Sequence, residues 1–562
     1  MKILLTTLNS KYIHSSPALK YLYGAAQKSG AQIDVREFTI NNDDDYIFGE
    51  LLSKEWDVVC FSCYIWNIER ILYLAENLKK ARPRVKILLG GPEVSFDAIE
   101  VMKKNRFIDF IIKGEGEMPF PMLMRMFRVY DDTEMIFQKP RDMFDDIDDG
   151  IAFDLGRETG GSAGLDYSLL LGYTIADIPN LVYRHDGKIY VNGEKDPDDF
   201  ENAVFPYTYF DIPQDKIVYY ESSRGCPFRC AYCLSSIEKT IRPLSLERVF
   251  RELSYFIRSG IKQVKFIDRT FNYDSQRARD ILGFIIANDN GVTNFHFEIC
   301  SDLLDEETLD VIRRARKGLF QFEIGVQSTN QKTLEAINRG GTLERTINMA
   351  KRLIDIGNSE VHVDLIAGLP YEGYKTFGKS FDDVYALGAD MFALGFLKLL
   401  KGTSMRDDAE KYGYIYREKA PYEVISNDFI SAKELIRLKK IEAVLDLYFN
   451  RKGFGRTLEY IIKTKFAGPF EFYEDFADYY YEKGFQHVSH KKEDLYRILN
   501  KYAESFTGDG ADGCEESDTA FEGIEDRSFG FTGHVRGLLM QDMEDTLNFD
   551  AIKKFVNKGW EI

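Results

Sequence analysis

The sequence predicts an α/β protein in successive parts: a doubly wound parallel sheet, an incomplete (β/α)6 TIM-like barrel, and a mainly helical C-terminal region. Three observations carry this. Short β-branched runs alternate with amphipathic helical stretches at the N-terminus, a second such series begins near residue 216, and strand signals fade after about residue 416. A chain of 562 residues is too long for one hydrophobic core. The changes of pattern divide it at 1–135, 136–212, 213–415 and 416–562.

In the first part, KILLTTLN (2–9), QIDVREFTI (32–40), WDVVCFSCYI (56–65), VKILLGGPEV (85–94) and FIDFIIKGEGE (107–117) read as strands with the turns that follow them. Helical stretches such as SPALKYLYGAAQKSG lie between them, and strict alternation means a parallel sheet with helices on both faces. Residues 136–212 read as a linker, with acidic and Gly-rich runs (DDIDDG, ETGGSAG) and one hairpin-like element, IPNLVYRHDGKIYVN. The barrel strands are IVYYESS, VKFIDRTF, FHFEIC, FQFEIGVQS, VHVDLIAGL and MFALGFLKLL, which places the active site at their C-terminal ends. The last part is helical and aromatic-rich, interrupted by an acidic loop, GDGADGCEESD, at 508–518.

The formal net charge of −18 argues against a partner made mainly of phosphate backbone. No apolar run is long enough to span a bilayer and no signal-peptide pattern follows Met1, so a cytoplasmic location is expected. Seven cysteines are too few for a disulfide scaffold in a chain of this length. Cys226, Cys230 and Cys233 crowd together as C-x3-C-x2-C directly after the first barrel strand. Three thiolates can hold three irons of a four-iron cluster and leave the fourth iron open. Structural zinc needs a fourth ligand, and no Cys or His stands near in sequence to supply one.

With the aromatic Tyr232 before its last cysteine, ESSRGCPFRCAYCLSS resembles the cluster loop of the radical S-adenosylmethionine (SAM) superfamily. The resemblance implies a [4Fe-4S] cluster on Cys226, Cys230 and Cys233, SAM bound at the open iron, and reductive cleavage to a 5'-deoxyadenosyl radical. It also implies contacts to SAM from Tyr232, from Asp268 and Thr270 of FIDRTFN, from Glu298 and Ser301, from Gln327, and from Leu365 and Ile366.

The N-terminal sheet lacks a G-x-G-x-x-G turn after its first strand, so it does not read as a dinucleotide site. LLGGPEVSF and KGEGEMPF supply glycines that let backbone approach a flat ligand. Joined to the barrel, they resemble the cobalamin-binding domain fused to class B radical SAM enzymes. Ser62, Gly90, Gly91, Pro92, Glu93, Gly114, Glu115, Gly116 and Glu117 are then the implied cobalamin contacts. The family's D-x-H-x-x-G loop is missing: Tyr12-Ile13-His14-Ser15-Ser16-Pro17 stands there, so His14 is expected to be a loop residue and not a cobalt ligand. Alternation along the strand sends Cys60 and Cys63 to opposite faces as buried small hydrophobes. Cys300, Cys514, His487 and His490 are given no role.

The implied activity is cobalamin-dependent methylation of a carbon in a small-molecule or peptide substrate, with electrons from a flavodoxin or ferredoxin. Non-methylating radical rearrangement or cyclisation is the nearest alternative. Methylthiotransferase-like RNA modification and a non-catalytic cluster or corrin carrier are further ones. The C-terminal region is expected to close the barrel's open side and choose the substrate, so that deleting 417–562 would spare cluster assembly.

Overall fold

The computed structural model describes residues 1–129, 174–212, 215–238, 240–506 and 530–560. The runs DDIDDG and ETGGSAG, the loop at 508–518 and its Cys514 lie outside the described residues.

Strands β1 (Lys2–Asn9), β2 (Gln32–Thr39), β3 (Val58–Ser62), β4 (Lys86–Gly90) and β5 (Phe110–Ile112) form a parallel sheet. β1 is buried along nearly its whole length because helices cover both faces. Its neighbour helix Pro17–Ala26 starts where the Ser16 hydroxyl accepts from the Leu19 amide, with proline in the first turn. Cys60 packs in the core on one face of this sheet and Cys63 in the core on the other, as alternation requires. Burial pushes both thiols far up.

The hairpin at 181–191 is not a separate linker element. β6 (Leu181–His185) pairs antiparallel with β5, and β7 (Lys188–Val191) with β6, giving the sheet order β2-β1-β3-β4-β5-β6-β7. The turn is local, since Asp186 and Gly187 both take positive φ, at 48° and 73°. The choice of β5 as partner is not, and no local pattern announces it.

The barrel is open. β8 (Val218–Tyr220) is followed by a two-residue ladder of β9 (Ser223–Arg224) and β10 (Arg242–Pro243). Then come β11 (Gln263–Phe266), β12 (Asn294–Ile299), β13 (Phe320–Gln327), β14 (Glu360–Ala367) and β15 (Met391–Phe396), all parallel in the order β15-β14-β13-β12-β11-β8. An open barrel leaves unpaired edges on β8 and β15, and an uncovered edge invites mispairing. Each flanking unit covers one. Beside β8, the Ile217 amide donates to Ile13 O at 2.9 Å, and the Ser15 hydroxyl to Ile217 O at 3.2 Å.

At the other edge a single π-helical turn, Asp446–Asn450, presents the Asn450 amide to β15 as a strand would. Phe392 N–H donates to Asn450 Oδ1 at 2.9 Å, and Asn450 Nδ2 donates back to Phe392 O at 3.0 Å. Short strands β16 (Ile415–Tyr416) and β17 (Val424–Ser426) extend the seal, with Val424 N–H donating to Leu397 O at 3.0 Å. The barrel and C-terminal helices share one continuous core in which Leu438, Ile441 and Tyr473 meet Phe381 and Phe392. A shared core argues against the expectation that the barrel would survive loss of 417–562. Among the described residues, no helix is long and apolar enough to cross a membrane.

Candidate functional site

A cavity of about 720 Å³ opens between the C-terminal ends of β1, β3, β4 and β5 and the mouth of the barrel. Ser62, Gly90, Gly91, Pro92, Gly114, Glu115, Gly116 and Glu117 all line it. Gly91 has φ 102°, and a Cβ there would lie 2.5 Å from Cys63 O, so only glycine lets this loop cross above β3. The rings of Tyr64 and Trp66 stack on the same wall, 4.5 Å apart and 4° from parallel. Glycine-lined backbone and a flat aromatic pair fit a broad planar group such as a corrin.

Glu93 is not part of that wall. The helical turn that starts at Pro92 rotates it away, and its buried carboxylate accepts from Tyr422 Oη at 2.7 Å. Glu115 and Glu117 line the cavity, but their carboxylates are held by the barrel. Arg224 pairs with Glu115 at 2.9 Å, Glu117 at 2.7 Å and Glu221 at 2.9 Å, and Arg242 also closes on Glu115. Even so, burial raises the Glu115 carboxyl above its usual range. His14 lies on the wall beside Tyr219, hydrogen-bonded through Nδ1, and burial lowers its pKa. Its loop serves the β8 edge.

The cysteine loop leaves β9 through Gly225, whose φ of 93° and approach to Thr240 O exclude a side chain. Asp268 anchors what precedes it: fully buried, it accepts from Ser222 N at 2.7 Å and from the hydroxyls of Ser222 and Ser223. Burial lifts its carboxyl to about 6. Asp268 therefore positions the loop, whereas the resemblance had it contacting SAM. Thr270 Oγ1 lies 3.5 Å from Cys226 Sγ, and Arg339 Nη1 3.7 Å from Cys230 Sγ. Burial pushes the Cys230 thiol and the Tyr232 phenol up, while the Arg339 charge opposes both.

Among the described residues, no group of three or more Cys, His, Asp or Glu side chains gathers as ligands of one metal ion. A four-iron cluster takes each thiolate on a different iron, so three cysteines can hold it with its fourth iron open.

Period-two alternation turns a polar row into the barrel. Glu323 meets His296 at 3.0 Å and Lys265 at 3.2 Å, which hold its carboxyl down at about 2. Glu298 lies 3.9 Å from Lys265, and burial with the nearby Glu323 charge raises it. Asp364 is lifted to about 8 by burial and by the Glu323 and Glu298 charges. Ile366 shares its side of β14, while Leu365 packs fully buried in the hydrophobic core on the other. The Ser301 hydroxyl is turned into the protein, donating to Thr346 O at 3.0 Å. Gln327 takes φ 71°, and its buried Oε1 has no hydrogen-bond partner. Strain and an orphaned acceptor at a strand end mark a ligand position.

Comparison with known proteins matches this geometry domain by domain. A B12 binding domain model matches residues 3–124, and the radical SAM superfamily model matches 220–384, across the cysteine loop. Residues 220–384 thus carry a radical SAM domain, joined to a B12 binding domain at 3–124. A third model, described as a protein of unknown function (DUF4080), matches 410–558, the unit that seals β15.

Among the proteins similar to this chain is an uncharacterized methyltransferase, PH0819, of Pyrococcus horikoshii. It is 26% identical over 56% of this chain and 62% of its own length. The cobalamin-dependent radical SAM methyltransferase TokK of Streptomyces tokunonensis is 22% identical over 58% of this chain and 44% of its own length. The match thus spans about half the length of these curated relatives. The structure of the radical SAM methyltransferase TsrM from Kitasatospora setae, with cobalamin and a [4Fe-4S] cluster bound, superposes with a TM-score of 0.53. It shares 17% identity and covers 75% of this chain and 76% of its own.

Arg224, Arg339, Lys265, Glu323 and Asp364 were not foreseen from the sequence. Alternation in VKFID, FQFEI and VHVDLIAG could have found the last three.

Proposed function

We propose that this protein is a cobalamin-dependent radical SAM enzyme that methylates a carbon of a small-molecule or peptide substrate. The single observation that carries the reading is the shared cavity, with a glycine-lined wall on the sheet side and Gly225, Leu234 and Ser235, which flank the cysteine loop, on the other. The relatives named methyltransferases support the choice of reaction.

When bound, the cluster and SAM supply a 5'-deoxyadenosyl radical, and cobalamin supplies a transferable methyl group. The chain holds and orients these groups. Cys226, Cys230 and Cys233 would hold three irons of the cluster. Arg339, against Cys230, offers a guanidinium fork to the carboxylate of SAM. Asp268 fixes the loop, and Gly90 to Pro92 with Gly114 and Gly116 bring backbone against the corrin. Asp364, protonated at neutral pH, can donate a hydrogen bond from the barrel wall. Electrons come from an external reductant such as flavodoxin or ferredoxin.

The test is anaerobic purification with cobalamin and cluster reconstitution, beside a Cys226→Ala control. About four irons and about one cobalt per chain, with 5'-deoxyadenosine formed from SAM and dithionite only by the unaltered protein, are expected. Methyl-deuterated SAM then separates methylation from rearrangement by product mass. A chain that binds neither cluster nor cobalt would end the proposal.

A further inference from the structure

The charged side chains on the cavity wall are Glu115, Glu117, Glu221, Glu238, Arg224 and Arg269. All but one are already paired. Arg224 takes Glu115, Glu117 and Glu221, and Arg242, just behind the wall, takes Glu238 at 2.5 Å. Arg269 is the exception. Among the described residues its guanidinium has no ion-pair partner within 4 Å and no hydrogen-bond acceptor, the Glu298 carboxylate feels its charge only from a distance, and its carbonyl accepts from Thr270.

This charge is placed by its neighbours. Asp268 is pinned to Ser222 and Ser223, and Thr270 touches Cys226, so the exposed side chain between them is delivered to the wall beside the cysteine loop. A guanidinium bathed in cavity water needs no partner. Once cofactors and substrate displace that water, it needs an anion, because an unpaired charge out of water is strongly unfavourable. The corrin ring's own side chains are neutral amides, cobalamin's one anion is the phosphodiester of its nucleotide tail and not of the ring, and the carboxylate of SAM would have Arg339 beside the cluster.

We infer that Arg269 receives an anionic group of the substrate, a carboxylate or a phosphate. This deepens the proposed function and rests on it. The wall's four carboxylates outnumber Arg224 and Arg242, so an anion is disfavoured elsewhere along it. The same residue that binds the anion thus sets which end of the substrate faces the cluster.

The experiment titrates phenyl phosphate, benzoate and neutral phenol into the cluster- and cobalamin-loaded protein by calorimetry, for the unaltered chain, Arg269→Gln and Arg269→Lys. At least one anion should bind the unaltered protein more tightly than phenol. It should lose about 10- to 100-fold in Arg269→Gln, the range for a charge-assisted hydrogen bond, and less in Arg269→Lys, with phenol unmoved. The anion that suffers more distinguishes phosphate from carboxylate. Equal binding of charged and neutral probes, or anion binding intact in Arg269→Gln, overturns the inference. So does an equal loss of SAM affinity or cobalt content, which would place Arg269 on a cofactor. Failure of the unaltered chain to load cluster or cobalt instead rejects the proposed function, and this inference with it.

Discussion

Replacing Arg224 by methionine should loosen the junction on which the whole site depends. Its side chain is 12% exposed, and its guanidinium carbon lies 4.3 Å from the Phe200 ring centroid while its nitrogens serve three carboxylates. Methionine keeps contact with the rings, so the loss is mainly electrostatic. Glu115 retains Arg242, but Glu117 and Glu221 are left without a cation at 22% and 18% exposure. Breaking a fully buried pair costs about 3–5 kcal/mol, and partial exposure argues for the lower end, about 3 kcal/mol. The pH dependence has a defined sign. Glu115 is already raised by burial with two guanidinium groups beside it, and losing one raises it further. A raised carboxyl contributes stability at low pH that is lost as pH rises through its folded pKa, so the variant's extra loss should grow as pH rises above the ordinary carboxylate range. Calorimetric unfolding and cobalamin retention after desalting measure this, beside a triple variant adding Glu117→Gln and Glu221→Gln. The triple variant should recover most of the loss, because neutral amides need no counter-charge. An unchanged melting temperature in Arg224→Met at pH 8, or no recovery in the triple variant, would refute the reasoning.

Glu372 is buried with one oxygen held by the hydroxyls of Ser328 and Ser380, the other unpartnered, and its carboxyl lifted to about 7. Its stabilising contribution is full below the ordinary carboxyl range and lost as pH rises through 7, a span of about 3 kcal/mol. Glu372→Gln should match the unaltered protein at pH 5 and melt higher at pH 8; parallel pH profiles would contradict this. Deleting 417–562 removes Leu438, Ile441, Val444, Tyr448, Phe472 and Tyr473 from the shared core and strips the β15 edge. What the truncated barrel loses is the cover over its own Phe377, Phe381, Val384 and Phe392, at about 2 kcal/mol for each large side chain fully exposed, together of the order of a domain's net stability. The truncated chain should aggregate, and a monomer that loads iron would disprove the shared-core argument.

What the sequence discloses and what it hides divide along the reach of the forces involved. The cysteine trio is legible because ligand spacing and its place after a strand are local properties. Cys60 and Cys63 are legible because alternation alone assigns their faces. Glu93 was misplaced by reading proximity to Gly90 and Gly91 as a shared surface, whereas the helical turn begun at Pro92 rotates it toward Tyr422. Arg224 looks like one more residue of a turn, since its three partners stand on distant loops. The hairpin at 181–191 is visible as a hairpin, but its pairing with β5 is a tertiary choice. Asn450 carries no signal at all, because its value lies wholly in meeting Phe392 58 residues away.

The tripeptide Asp268-Arg269-Thr270 couples two requirements that could have been met separately. Asp268 faces inward to Ser222 and Ser223, Thr270 faces Cys226, and Arg269 between them faces the cavity. Any shift of this loop that moves the guanidinium also moves the thiol it flanks. An anion drawn to Arg269 therefore sits one residue from the contact to Cys226, in a cysteine loop that is itself tied down where the Ala231 amide donates to Ile337 O at 2.9 Å. A separate binding loop would tolerate a misplaced substrate without disturbing the cluster ligands. Here the substrate's charge and the ligand geometry are held to one register, which suits a reaction whose reactive species must meet only a correctly seated carbon.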